Sequence, residues 1–303
     1  MATIVNTVVL ERGLRALFVE AFNNAEDAAE LAPYILETTS DGADEKYGWL
    51  GQSPSMVEWI DERRLKALND FDYTLKNKDY EATLSVDRNE LADDRMGAIK
   101  IRINDLALKA KSTHPRRLFF DALVAGTTAL AYDGLPLFSA SHQEGASGVQ
   151  SNIVTGTGVT VAQITADLDT AILRMRSFKD DVGEPMSEVD PAIGIISPLA
   201  LQKTFRNINT LDYIGDGVQN TYKGQIKSIV SSSRLVDAND WYVVDISPGI
   251  KPFIHQLRQP VTFAALEAGS DQGFMRKKYA YGVDSREVFG YGLWQKIIKV
   301  TNT

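Results

Sequence analysis

The sequence contains no cysteine, and that single absence removes disulfides, thiolate nucleophiles and every cysteine-based metal site. Histidine is nearly as scarce. His114, His142 and His255 are the only three, far apart in the chain, and each reads as a structural or solvent-facing ring unless the fold brings two together. No stretch approaches the roughly 18 apolar residues that span a bilayer. The start, Met-Ala-Thr-Ile-Val-Asn, has no basic segment ahead of an apolar core, so no signal peptide and no membrane partner are expected, and the chain should be made in the cytoplasm. Positive charge is also in deficit. With 32 Lys and Arg against 40 Asp and Glu the net charge is −8, which argues against a dedicated nucleic-acid binder while leaving room for passive contact through a local basic patch.

Motifs for chemistry are missing as well. There is no Walker loop, no Gly-x-Ser-x-Gly elbow and no His-Glu-x-x-His pair. Gly156-Thr-Gly158 lacks a third glycine and sits in a polar loop. Two acidic clusters, Asp93-Asp94 and Asp180-Asp181 with Glu184, offer oxygen ligands for Mg²⁺ or Ca²⁺, but neither has the loop spacing of a known site. Asp93-Asp94 reads better as acidic residues in the first turn of a helix. No catalytic residue, metal or cofactor is therefore expected, and the chain reads as a non-enzyme. The densest positive patch is Lys109, Lys111, Arg116 and Arg117, with Arg276-Lys277-Lys278 second. It could meet DNA phosphates or an acidic partner, or simply be a solvated helix end.

What is present is a folded α+β pattern: 303 residues, 44% hydrophobic and 24% charged, helix-rich first and strand-rich later, without regular βαβ alternation. Leu10, Leu14, Leu17 and Ala21 recur at helical spacing, and one short helix must bury such a stripe on the body or on a neighbour. Tyr73 and Leu75, then Tyr80, Ala82, Leu84 and Val86, alternate on either side of Asn77-Lys78-Asp79, which predicts a hairpin. From Leu91 the period becomes helical, with Met96, Ile99, Ile103, Leu106 and Ala110 on one face. Pro115 should break this helix or start another, which carries Phe119, Leu123 and Leu130. Residues 131–160 read as loop. Ile164, Leu168, Ala171, Met175 and Phe178 mark a further helix, Pro191–Ser197 a buried strand, and Leu201, Phe205 and Ile208 another helix. Beyond Gly224 the pattern is β.

Two blocks carry a family resemblance. Tyr80-Glu-Ala-Thr-Leu-Ser-Val-Asp-Arg88 leads into Leu91-Ala-Asp-Asp94 and Gly97; Leu130-Ala-Tyr-Asp-Gly134 precedes Pro136, Phe138 and Ser141-His142. Together they resemble the Mu-like phage major head subunits. The resemblance implies the Hong Kong 97-type capsid fold: an N-terminal arm (1–45), an E-loop region (46–90), a peripheral domain with a spine helix (91–159 and 281–303, spine 91–130) and an axial domain (160–280). It implies self-assembly into hexamers and pentamers around double-stranded DNA in the virion. Partners implied are a separate scaffold protein and maturation protease, since an E-loop beginning near residue 47 leaves no room for a fused scaffold, together with a portal protein and a decoration protein. Expected inter-subunit contacts are Leu10, Leu14 and Leu17 in the arm and Tyr73, Leu75, Tyr80 and Leu84 in the hairpin. Lys76 and Lys78 resemble turn lysines kept for solubility and are not assigned to cross-linking. The competing readings are a phage tail or neck ring protein, and a metal-dependent hydrolase using Asp180, Asp181 and Glu184.

Overall fold

The computed structural model describes residues 7–48, 50, 73–87, 89, 96–187, 189–214, 217–266, 275 and 277–302. Helix α1 (Thr7–Asn24) is followed by a 3-10 turn (Ala29–Tyr34), β1 (Ile35–Thr39) and β2 (Asp44–Lys46). The described chain resumes with β3 (Thr74–Lys76) and β4 (Lys78–Asp87), then α2 (Met96–Leu108), a π-helical turn (Lys109–Thr113) and α3 (His114–Ala125). Next come β5 (Ile153–Thr155), α4 (Val161–Arg176), β6 (Ile193–Pro198), α5 (Leu199–Thr210), β7 (Tyr213–Ile214) and β8 (Val218–Gln219). The end is almost all strand: β9 (Ile226–Ser232), β10 (Trp241–Asp245), β11 (Phe253–Leu266), β12 (Lys278–Tyr291) and β13 (Ile297–Thr301). Two larger sheets result, one ordered β1-β11-β12-β4 and one ordered β5-β13-β10-β6-β9. The class is α+β, as expected.

Pro115 stands in the first turn of α3, as expected, but the helical path is not interrupted there. Its ring displaces the carbonyl four residues back and it has no N–H to donate. The turn ahead of it widens instead, and the His114 N–H donates to the Lys109 carbonyl five residues back. One continuous rod therefore runs from Met96 to Ala125. Ile99, Ile103, Ala107 and Ala110 form its buried stripe.

The hairpin expected around residues 77–79 is not formed. β3 and β4 are one extended run kinked at Asn77, and they take different partners. β3 lies antiparallel to β2, with Leu75 opposite Glu45, whereas β4 lies antiparallel to β12, with Leu84 opposite Tyr281. The side chain of Asn77 is buried. Its Nδ2 donates to Ser40 Oγ (3.0 Å) and to the Gly42 carbonyl (3.1 Å), and its Oδ1 accepts from Gln256 Nε2 (2.7 Å). Tertiary partners have taken the polar atoms that would otherwise close a local turn.

β11 and β12 lie with β1 and β4 in one sheet. β13 lies between β5 and β10 in the other sheet. Ile297, Ile298 and Val300 of β13 are all fully buried, the pattern of a central strand covered on both faces.

Two cores follow from this arrangement. The larger runs from Leu31 and Tyr34 through Phe119 and Phe253 to Trp241 and Trp294. The smaller joins Leu14 and Phe18 of α1 to Ile99 and Ile103 of α2 and to Val86, Tyr279, Tyr281 and Val283 of the strands. Between the rod and the sheet lies a cleft of about 310 Å³, lined among others by Tyr80, Ala110, His114, Arg117, Val261 and Ser285. At this height the rod carries its π turn, and β11 carries register shifts between Leu257 and Gln259 and between Gln259 and Thr262.

Candidate functional site

The Tyr132-Asp133-Gly134…Phe138…His142 block folds into a buried polar clamp. Gly134 has φ 78°, which a side chain would strain, and this lets the Leu130–Pro136 turn close. The turn aims Asp133 at His142, whose Nδ1 lies 2.5 Å from Asp133 Oδ2 and whose Nε2 lies 3.2 Å from the Leu137 carbonyl. His142 is 0% exposed and stacks on Trp294. Next to it Glu144 accepts from Tyr132 Oη, Gln295 Nε2 (2.9 Å) and Trp294 Nε1 (3.2 Å). Burial pushes the Glu144 carboxyl up, and these three donors draw it partly back. Burial and the neighbouring Glu144 hold the Tyr132 phenol well above its usual range. The clamp ties residues 130–152 to the turn that leads into β13. Every polar atom named here has a partner inside the protein, so the block holds the fold and presents no reactive group.

Two of the three histidines do not stay apart. His114, at the junction of the π turn and α3, and His255 of β11 both reach the buried Glu287 of β12. His114 Nε2 is 3.1 Å from Glu287 Oε1, and His255 Nε2 is 2.6 Å from Oε2. Ser285 Oγ donates to the same carboxylate at 2.8 Å. Burial alone would raise the Glu287 carboxyl, but hydrogen bonds from His114 and His255 outweigh it and hold it well below the carboxylate range. The cluster pins the rod to the sheet beside the cleft.

The acidic and glycine signals also have local explanations. Asp180 Oδ1 accepts from the backbone N–H of Val182 (3.0 Å) and of Glu184 (2.8 Å) and so shapes its own loop. Among the described residues no group of three or more His, Asp and Glu is placed to hold a metal ion; Asp93-Asp94 lies outside them. In Gly156-Thr-Gly158 the Thr157 N–H donates to Asp167 Oδ2 (2.9 Å) and the Gly158 N–H to Asn302 Oδ1 (3.0 Å). A Cβ on Gly156 would overlap the Asn302 side chain. The pair of glycines is a seat for the C-terminal Asn302, with its N–H groups already engaged.

Of the expected contact residues, most face this subunit's own interior. Leu14 is 1% exposed and Leu75 is buried. Tyr73 accepts from the Tyr291 N–H at 2.8 Å, and burial pushes its phenol up to about 12. Tyr80 sets its ring edge against His114, and Leu17 and Leu84 pack against the smaller core. Leu10 lies in α1, with its side chain outside the described residues. The outward apolar positions are others: Ile101, 71% exposed, with Leu108 on the rod, Tyr213 and Val218 on the β7–β8 hairpin, and Val236, 93% exposed. Ile101 falls off the stripe of the rod, and a search for periodicity passes over such residues.

The basic patch is largely engaged inside the subunit. Lys109 pairs with Asp105 (2.8 Å) and Arg116 with Glu30 (2.5 Å). Lys111 donates to the Asn23 carbonyl at the end of α1 (3.1 Å) and lies over the Phe22 ring. The Arg116 and Lys111 contacts strap the arm to the rod, while Lys109–Asp105 lies within it. Arg117 lines the cleft, and Arg276 is outside the described residues.

A helical rod crossing one four-stranded sheet that is antiparallel apart from its parallel β1–β11 pair, together with a second, five-stranded sheet, makes a subunit of the Hong Kong 97-type fold. The procapsid protein of bacteriophage JBD30 has this fold, with a TM-score of 0.60 and 24% identity over 100% of this chain and 77% of that one. The chain belongs to the family described as Mu-like prophage major head subunit gpT, matched over residues 8–164 and 230–303. It is 28% identical to the Mu-like prophage FluMu major head subunit of Haemophilus influenzae, over 93% of this chain and 71% of that protein. With the major capsid protein of Escherichia phage Mu it shares 23% identity, over 97% and 75% respectively. It is a phage major capsid protein, a virion component from a structural family and not an enzyme family.

Proposed function

We propose that the subunit assembles into hexamers and pentamers that close an icosahedral head around double-stranded DNA. The observation that carries this reading is the outward apolar set on the rod, Ile101, Leu108 and Val124. Their exposure in a single subunit is relieved when a neighbour covers them, at about 25 cal/mol per Å² of apolar area. In this reading the four-stranded sheet with its rod forms the peripheral portion. The five-stranded sheet with α4 and α5 forms the axial one, and residues 46–90 are the E-loop region. A separate scaffold protein, a maturation protease, a portal protein and a decoration protein complete the assembly. The basic patch Lys109, Lys111, Arg116 and Arg117 is the place for DNA or for an acidic partner, with Lys109 and Arg117 both lining the cleft.

The test is expression followed by negative-stain microscopy. The unaltered chain should give closed shells, and I101D/L108D should give a folded subunit with the same circular dichroism that forms none. Deleting residues 51–70 while keeping β2 and β3 should likewise leave a folded, non-assembling subunit. Shells of normal size from the double substitution would count against the reading, and tubes or rings from the unaltered chain would favour a tail or neck role.

A further inference from the structure

β4 is the longest open strand edge among the described residues. The outer strands of the two larger sheets are β1, β4, β5 and β9, and β4 runs for ten residues where β9 has seven. One edge of β4 is bonded to β12 throughout. On the other edge no described strand lies alongside, and among the described residues no further backbone hydrogen bond reaches residues 78–87. Six of the ten, Lys78, Asp79, Glu81, Ala82, Thr83 and Ser85, are exposed. A row of unpaired N–H and C=O groups this long is a template for another strand.

We propose that this edge pairs antiparallel with β4 of a second copy across a two-fold axis centred on Ala82, joining two four-stranded sheets into one. The inference rests on the assembly reading above and adds a specific interface to it. The occupant follows from the sequence of the strand. A two-fold axis that pairs antiparallel strands stands perpendicular to the sheet and keeps each face on its own side, so the axis must pass through a residue position. Centred on Glu81, it would set Glu81 against its own copy. Centred on Thr83, it would set Asp79 against Asp87. Like charges directly opposite are destabilising. Centred on Ala82, it sets Ala82 against Ala82, Tyr80 against Leu84, Glu81 against Thr83 and Asp79 against Ser85, with no like charges facing. An aromatic opposite an aliphatic side chain is a favourable cross-strand pair. The small residue at the axis lets the two backbones approach.

The absence of cysteine makes the test clean. Directly opposed Cα atoms lie roughly 4.5–5.5 Å apart, within disulfide reach, whereas diagonal neighbours lie about 7–8 Å apart, beyond it. Ala82→Cys subunits assembled into shells and oxidised should run mostly as disulfide-linked dimers on a non-reducing gel, while Thr83→Cys subunits should remain monomeric. Micrographs of the same samples report assembly separately. Normal shells of the Ala82→Cys chain in which the introduced thiol stays free overturn the interface while leaving the assembly reading intact; absence of shells from the unaltered chain overturns the reading itself. A second pair of variants covers an Ala82→Cys chain that does not assemble. Ala82→Lys and Ala82→Asp should each lose shell formation alone and regain it when co-expressed. Wild-type shells from either variant alone, or no recovery on mixing, would reject the proposal.

Discussion

The imidazole of His142 lies flat on the indole of Trp294, with ring centroids 4.0 Å apart and planes within 6° of each other. The stack bridges a long stretch of sequence, fixing the 130–152 loop to the turn before the C-terminal strand. Behind it His142 bonds Asp133, and Trp294 bonds Glu144. Replacing His142 by Ala opens a cavity and leaves Asp133 without its partner, so a loss of about 3 kcal/mol is expected. His142→Phe keeps the aromatic ring and leaves the Leu137 carbonyl its bond from Asn152 Nδ2 (2.7 Å), but takes away the partner of Asp133 Oδ2, and should cost about 1–3 kcal/mol. Urea denaturation of the unassembled subunit measures both. Full stability in His142→Phe would show that the polar partners contribute nothing.

Glu287 makes a prediction with a definite sign. Its carboxyl is held below the usual range in the folded subunit, so it stays ionised where the unfolded chain would take up a proton. Its contribution is therefore present above the ordinary value of 4.5 and is lost as pH falls from there toward the folded-state value. The slope is at most about 1.4 kcal/mol per pH unit for one proton. Glu287→Gln should be less stable than the unaltered chain at neutral pH. The gap should narrow between about pH 5 and about pH 3. Parallel curves for the two proteins across that range would remove Glu287 from the acid response.

How much of this could be read from the chain depends on how local each signal is. The buried stripe of the rod and the strand at Ile193–Pro198 are periodic over neighbouring residues, so the sequence carries them. The kink at Asn77 is not local. Its turn chemistry is plain in the sequence, but Ser40, Gly42 and Gln256 take its polar atoms, and a window of ten residues contains none of these. The Glu287 cluster fails in the same way, because His114, His255 and Glu287 sit on three elements whose pairing only the sheet order reveals. The Tyr132-Asp133-Gly134 block is legible as a resemblance before it has a physical reason. The clamp on Trp294 and Gln295 supplies one.

The arm gives a prediction about local order. Leu14 and Phe18 are both buried in the smaller core, and Phe18 stacks on Phe263 with centroids 4.8 Å apart. Truncating either to Ala should cost about 2–4 kcal/mol, charged to the docking of α1 because the larger core is untouched. Limited proteolysis should then cut between α1 and Glu30 faster, while the main denaturation transition shifts little. Arg116→Ala, which loses a half-exposed pair with Glu30 and a hydrogen bond to Ser112 but no apolar contact of α1, should move the cleavage rate much less. Equal cleavage rates in Leu14→Ala and the unaltered chain would mean that α1 is held by something other than its apolar stripe.

The last prediction concerns the close approach at Gly156. Asn302 reaches back over this residue to accept from the Gly158 N–H and to donate through Nδ2 to the Asn239 carbonyl at 2.9 Å, while its own N–H donates to Asp240 Oδ1, also at 2.9 Å. One side chain therefore closes the C-terminus onto two loops. A methyl group at position 156 would occupy the space of the Asn302 amide. The overlap is with a planar amide held at both ends, so it is not relieved by a small rotation. Gly156→Ala should lower stability by about 1–3 kcal/mol, the usual range for overpacking. Asn302→Ala should cost about 1–2 kcal/mol through lost hydrogen bonds. The two are in contact and should not add. With the amide gone the methyl group fits, so Gly156→Ala/Asn302→Ala should be little worse than Asn302→Ala alone. Thermal denaturation of the four proteins closes the cycle, and strict additivity would show that Gly156 is small for some reason other than Asn302.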